Sequence, residues 1–287
     1  MSDKWKIVVD SACDLTEADA AKLKIAYEKV PFVLLVGKKE YVDNGSIDIP
    51  ELLDAMEKEK EASKSACAGP GAWAEAFEDA DNIIAVTISS ELSGSYNSAI
   101  TAKQMVQEDD SEKKICVVDS KSTGPAMVMT VFMAAMYINR GLSFEEISGL
   151  LPKAVEHTHT VFALCSFNNL IKNGRMGKIA GFIAGALGFW GTGIAKGGKI
   201  VVKGKSRGLN KAIVSILADF KDNDFESGRV FISHCCNNDA AEKLHQSILA
   251  EYPESKIKVM ETCGLDSFYA ERGGLIVAYM KHTANEE

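Results

Sequence analysis

The chain has 287 residues, 46% of them hydrophobic and 25% charged, with seven cysteines and a formal net charge of −8. That length allows one large domain or two modest ones with a sizeable core, and the composition excludes a disordered chain, a collagen and a small disulfide scaffold. The odd cysteine count, scattered over positions 13, 67, 116, 165, 235, 236 and 263 without C-x-x-C or Cys/His zinc spacing, points to reduced thiols in a cytoplasm and to no metal site.

Met1 to Asp10 lacks the basic start and long apolar run of a secretion signal. Instead Lys6-Ile-Val-Val-Asp10 reads as a short buried strand, followed by a helix capped by Thr16 and running to about Lys24. Val30 to Val36 and Glu40 to Val42, joined through Gly37-Lys38-Lys39, predict a hairpin. Asp48 caps the next helix, with Pro50 in its first turn. After a loop rich in Gly, Pro and Ala comes a short helix, 72–77. Strands at 83–88 and 115–118 alternate with helices at 95–106 and 125–140. Apolar strands separated by helices predict a parallel sheet covered on both faces, a three-layer α/β/α arrangement. The second half opens with the capping box Ser143-Phe-Glu-Glu146, then strands at 160–164, 199–202, 229–233, 256–261 and 275–280, with helices at 209–221 and 239–251. We expect an N-terminal α/β domain over 1–156, with a small hairpin insertion near 27–45, and a C-terminal α/β domain over 157–287.

Charge changes near the same boundary. From His157 to Ala218 there is no Asp or Glu but nine Lys or Arg, among them Arg175, Lys205 and Arg207. Such a stretch suits a carboxylate or phosphate ligand, an acidic protein face, anionic lipid, nucleic acid, or a solvated face with no partner. Few aromatics interleave with these residues and the chain is acidic overall, so nucleic acid is not expected. Ile179 to Ala195 is uncharged but rich in glycine, which favours a helix and loop packed on the core over a membrane span. The segment Gly198-Lys-Ile-Val-Val-Lys-Gly204-Lys205-Ser206 echoes a P-loop but is one residue too long between its glycines, and nucleotide binding is not expected there.

Chemistry concentrates in two loops. Thr87-Ile-Ser89-Ser90-Glu-Leu-Ser93-Gly94-Ser95 follows a predicted buried strand and opens a helix, where ligands gather in open α/β sheets and unpaired N–H groups attract anions. Ser93 and the N–H of Gly94 are placed to hold a carboxylate or phosphate; equally, these serines can cap the helix. The second loop, Ser63-Lys64-Ser65-Ala-Cys-Ala-Gly69-Pro70-Gly71, offers the Ser65 hydroxyl. There is no Gly-x-Ser-x-Gly elbow, so an acyl hydrolase or transferase would have to pair Ser93 with the strand-end His234.

These segments together resemble the DegV family across nearly the whole chain. The matching pieces are Val9-Asp10-Ser11-Ala-Cys-Asp14-Leu15, Lys64-Ser65 before Pro70-Gly71, Ile88-Ser89-Ser90-Glu-Leu-Ser93-Gly94-Ser95-Tyr96, Val118-Asp119-Ser120, Asn173-Gly174-Arg175-Met-Gly177-Lys178, Lys205-Ser-Arg207-Gly208 and Ile232-Ser233-His234. The resemblance implies a bacterial cytoplasmic carrier rather than an enzyme. Its two α/β domains, the second a two-layer unit with a mixed sheet, would clasp one long-chain fatty acid such as palmitate, stearate or oleate. It implies a carboxylate held by the hydroxyls of Ser65 and Ser93, to which the loop reading adds the Gly94 N–H, while Arg175 serves the anionic head group or the partner; it implies no catalytic residue, no cofactor and no metal. It also implies delivery to a separate fatty acid kinase, and the basic stretch then suits a docking face for it, with Arg175, Lys205 and Arg207 as candidates. Three departures stand out. The family's T-S-x-P-S loop is here Ser65-Ala66-Cys67-Ala68-Gly69, its I-K-P-I-L strand is Trp190-Gly-Thr-Gly-Ile194, and its carboxylate-positioning histidine falls at Ala270.

Overall fold

The computed structural model describes residues 4–176 and 188–281. Gly177, Lys178 and residues 179–187, which hold part of the basic block and most of the uncharged run, lie outside the described residues.

Continuous apolar runs build the first sheet. β1 (Trp5–Asp10), β2 (Ala26–Val30), β6 (Asn82–Thr87) and β7 (Lys114–Asp119) pair in the order β2-β1-β6-β7, all parallel. Successive side chains on a strand point to opposite faces. Val8, Ile83, Ala85 and Ile115 accordingly pack with Trp73 and Phe77 beneath α3 (Pro70–Ala76) and α4 (Ser95–Asp109). Ile7, Val9, Ile84 and Val86 instead meet α5 (Pro125–Asn139) and α6 (Phe144–Glu156). This is the three-layer arrangement that the alternation of strands and helices predicts. The Ser143–Glu146 capping box forms as expected, with the Glu146 carboxylate accepting from Ser143 N at 2.8 Å.

The second sheet is mixed, in the order β10-β9-β8-β13-β11-β12. Its strands are β8 (His159–Leu164), β9 (Phe189–Lys196), β10 (Lys199–Arg207), β11 (Gly228–His234), β12 (Lys256–Glu261) and β13 (Leu275–Lys281). Only β11 and β12 pair in parallel. One face carries α8 (Leu209–Asp222) and α9 (Asn238–Glu251), whose Ile216, Phe220, Leu244 and Ile248 pack on Val230, Ile232, Val277 and Tyr279. The other face meets α5, and Phe231, Met260 and Met280 join the core around Ile7 and Val9. Eleven of the fifteen residues of α5 are buried, as befits a helix with sheets on two sides. The chain crosses between the sheets at residues 156–159, and α5 makes their cores continuous.

Three local readings need correction. Val30 closes β2, and the hairpin proper is β3 (Val33–Val36) with β4 (Lys39–Val42). Lys64–Ala66, read as loop, is β5, an edge strand whose Ser65 pairs with Leu34. Three polar or small residues carry no strand signal of their own. The start of β9 falls within the run read as helix and loop, yet it is a strand whose Gly193 lies opposite Val202 on β10 and Phe162 on β8. A Cβ on Gly193 would run into the Phe162 ring and the Val201 carbonyl oxygen. Gly193→Ala is therefore expected to cost about 3 kcal/mol through overpacking, read as a lower urea midpoint with unchanged slope. Among the described residues no helix is long and apolar enough to cross a membrane.

Candidate ligand site

The carboxyl ends of β1, β6 and β7 meet at one edge of the parallel sheet, where such folds bind ligands. Asp10, at the end of β1, accepts from Ile88 N at 2.9 Å, from Ser95 Oγ at 2.7 Å and from Ala12 N at 3.2 Å. Asp119, at the end of β7, accepts from Ser90 Oγ at 2.6 Å and Ser90 N at 3.2 Å. Ser89 donates its hydroxyl to Gly198 O at 2.7 Å in the β9–β10 turn. The loop after β6 is thus pinned from three sides and carries Ser93 and Gly94 to the start of α4. There Ser93 Oγ accepts from Ser95 N at 3.2 Å, and the helix N-terminus adds a partial positive charge.

Opposite this loop stands β5. An added Cβ on Gly94 would lie 3.6 Å from Cys67 Sγ, so the two loops are in contact. The Ser65 hydroxyl sits 2.7 Å from the Tyr269 hydroxyl of α10 (Gly264–Ala270). Beyond α7 (Asn168–Lys172), the Asn173 amide donates to Ser63 O at 3.1 Å, and Arg175 donates to Asn173 O at 2.8 Å. Ser65, Cys67, Ser93, Gly94 and Arg175 all line one cavity of about 280 Å³. It adjoins a smaller one of about 70 Å³, walled by Phe162, Leu164, Ala270 and Ile276 under β8 and β13. Leu92, Thr123, Leu170, Ile200, Asp266 and Tyr269 border both. Hydroxyls and a guanidinium in one cavity, and mainly apolar walls in the other, suit an anion with an apolar tail.

The four ligand candidates read from the sequence therefore share one space. The docking candidates do not: Lys205 and Arg207 lie outside it, exposed on β10. Nor do Ser93 and His234 meet. His234 is buried at the end of β11, accepts from Asn237 N at 3.3 Å and does not border the cavity that Ser93 lines. Burial lowers its pKa. Sequence reasoning missed Tyr269, Thr123, Asp266, Cys67 and Lys199, the last paired with Glu91 at 3.3 Å beside the smaller cavity. Tyr269 had the nearest signal, since the family's histidine was placed one residue away. Ala270 contributes only wall, whereas Tyr269 reaches Ser65. Burial, and then the neighbouring Asp14 charge, push the Asp266 carboxyl well above the usual range. Asp14, Cys263 and Asp266 form the one group among the described residues able to hold a metal ion.

The DegV family model, described as that of an uncharacterised protein, matches residues 4–281. A DegV domain-containing protein of Streptococcus pyogenes is 36% identical over 276 residues, 96% of this chain and 99% of its own. Among solved structures, the Streptococcus pneumoniae fatty acid kinase B3 protein, loaded with linoleic acid, superposes with a TM-score of 0.91 at 35% identity, covering 97% of this chain and all of its own. A DegV family protein from Eubacterium eligens, loaded with heptadecanoic acid, gives 0.92 at 36% identity over the same shares. With the family match spanning both sheets and the loops between them, the chain belongs to the DegV family.

Proposed function

We propose that this protein binds one long-chain fatty acid and carries it, presenting the carboxyl group to a separate fatty acid kinase. The observation behind this reading is the meeting of Ser65 of β5 and Ser93 of the loop after β6 in one cavity that adjoins another with mainly apolar walls. The Ser65 and Ser93 hydroxyls, the Gly94 N–H and the Arg175 guanidinium hold the carboxylate, and the tail runs toward Phe162 and Ile276. About fifteen buried methylenes at roughly 0.8 kcal/mol each dominate affinity. Hydrogen bonds to the charged head group, about 1.5–3 kcal/mol each, fix orientation. Basic residues of β10, with Lys205 and Arg207 foremost, form the docking face for the kinase. Two structural relatives, loaded with linoleic and heptadecanoic acid, support the ligand class.

Native mass spectrometry of the purified protein, followed by lipid extraction, is expected to find about one long-chain fatty acid per chain. No extractable lipid, together with no binding of palmitate or oleate to delipidated protein, overturns the proposal. A hydrolase is disfavoured because His234 does not border the cavity that Ser93 lines, and the Ser93 hydroxyl accepts from Ser95 N. Ser93→Ala is expected to weaken fatty-acid binding about ten- to a hundred-fold, while the weaker binding of a methyl ester hardly changes. Calorimetric titration of both ligands distinguishes the outcomes: equal losses would mean that Ser93 shapes the pocket without recognising charge.

A further inference from the structure

Where the loop after β1 meets α10, two carboxyl groups are buried side by side with their outer oxygens unsatisfied. Asp14 Oδ1 accepts from Cys263 N at 2.7 Å, and Asp266 Oδ1 accepts from Thr123 Oγ1 at 2.5 Å. Asp14 Oδ2 and Asp266 Oδ2 are fully shielded from solvent and have no hydrogen-bond partner, and each residue is only 3% exposed. Both lie close to Gly124, whose φ is +53°. A Cβ at that position would strike both oxygens. The Ser233 hydroxyl lies beside Asp14 without completing a hydrogen bond. The ligating atoms of Asp14, Asp266 and Cys263 all lie within 4.8 Å of one another.

We infer that Asp14, Cys263 and Asp266 form a binding site for a divalent metal ion of the zinc class, completed by a water molecule. Two carboxylate oxygens and a thiolate make a borderline donor set that suits zinc or cobalt, whereas magnesium and calcium want six or more oxygens. Ligands about 2.0–2.3 Å from a tetrahedral ion stand roughly 3.3–3.8 Å apart, within the span of this cluster. A divalent ion and the Lys29 ammonium, which acts electrostatically on Cys263, Asp43 and Asp14, offset the negative charge that the three ligands and Asp43 bring together.

There is a way in from outside. Asp14 and Cys263 border a surface cleft of about 1010 Å³, lined also by Glu17, Glu28, Asp43, Glu261 and Lys29. Its carboxyl groups outnumber its one ammonium, which favours cations. Binding expels the Cys263 thiol proton, and any proton held by the carboxyl pair, to solvent. The bound ion then ties the end of β1 to α10, the element that carries Tyr269. The three ligands are 249 and 3 residues apart in sequence, which is why no spacing motif announces them.

The test is titration of the whole, chelator-treated and reduced protein with cobalt(II), followed by displacement with zinc(II). One equivalent of cobalt is expected to bind, with a thiolate-to-cobalt charge-transfer band and visible bands of a tetrahedral ion. Cys263→Ser should abolish the charge-transfer band, and Asp266→Asn should weaken binding about a hundred-fold or more. Cys236→Ser, an exposed cysteine outside the cluster, should change neither. Should the cluster variants fail to fold, wild-type protein still decides: bound zinc must protect Cys263 from alkylation, as mapped by peptide mass. Absence of stoichiometric cobalt uptake, or uptake unchanged by both cluster variants, overturns the inference. So does a higher melting temperature in Asp266→Asn without metal uptake by wild type, which would mean that the two carboxyls share only a proton.

Discussion

Tryptophan in place of Ile200 is expected to reduce affinity for palmitate and oleate about two-hundred-fold. Ile200, on β10, is half-buried and borders both the polar cavity and its apolar extension. An indole there closes the passage toward Phe162 and Ile276. Excluding about four methylenes at roughly 0.8 kcal/mol each removes about 3 kcal/mol, which is the two-hundred-fold loss. Because the side chain is not fully enclosed, folding should change little. The chain-length profile is the decisive readout. Wild-type affinity should climb with each added methylene through palmitate, while the variant should level off several carbons earlier. A uniform loss at every length would place the tail elsewhere, and no loss would place it outside both cavities.

Asp10→Ala is expected to cost about 3–5 kcal/mol of folding stability and to weaken ligand binding with it. The carboxylate is 1% exposed and satisfies three donors, Ala12 N, Ile88 N and Ser95 Oγ. Each donor left unpaired in a buried site costs about 1–3 kcal/mol, less whatever relaxation recovers. Two of them hold the Ser93–Gly94 loop in place, so head-group affinity should fall as well. pH dependence supplies an independent readout. Burial outweighs the hydrogen bonds and pushes this carboxyl from 3.8 up to about 6. The folded state therefore holds the proton more tightly than the unfolded one. Its stabilising contribution is complete below pH ~4 and is lost as pH rises through about 6. Relative to Asp10→Asn, which does not titrate, the wild type should lose up to about 3 kcal/mol between those limits. A difference that stays flat in urea denaturation from pH 4 to 8 would show that Asp10 is ionised throughout.

The parts of this protein determined by its sequence alone are those whose physics is local. β1, β6 and β7 are apolar on both faces because helices cover both sides of a parallel sheet, and that shows as unbroken runs such as Lys6-Ile-Val-Val-Asp10. Caps announce themselves within four residues, as at Thr16, Asp48 and Ser143. A hydroxyl cluster at a strand-to-helix turn singles out Ser93 and Gly94, and the family pattern Ser65 and Arg175; all four line one cavity. What only the tertiary structure decided depends on partners distant in the chain. Lys64–Ala66 is a strand only because Leu34 presents an edge to it, and β9 only because β8 and β10 flank it. Tyr269 reaches Ser65 across a sequence separation of 204, and Asp14 meets Cys263 across one of 249. Neither pairing leaves a trace in local composition, because loop closure, not propensity, brings those side chains together.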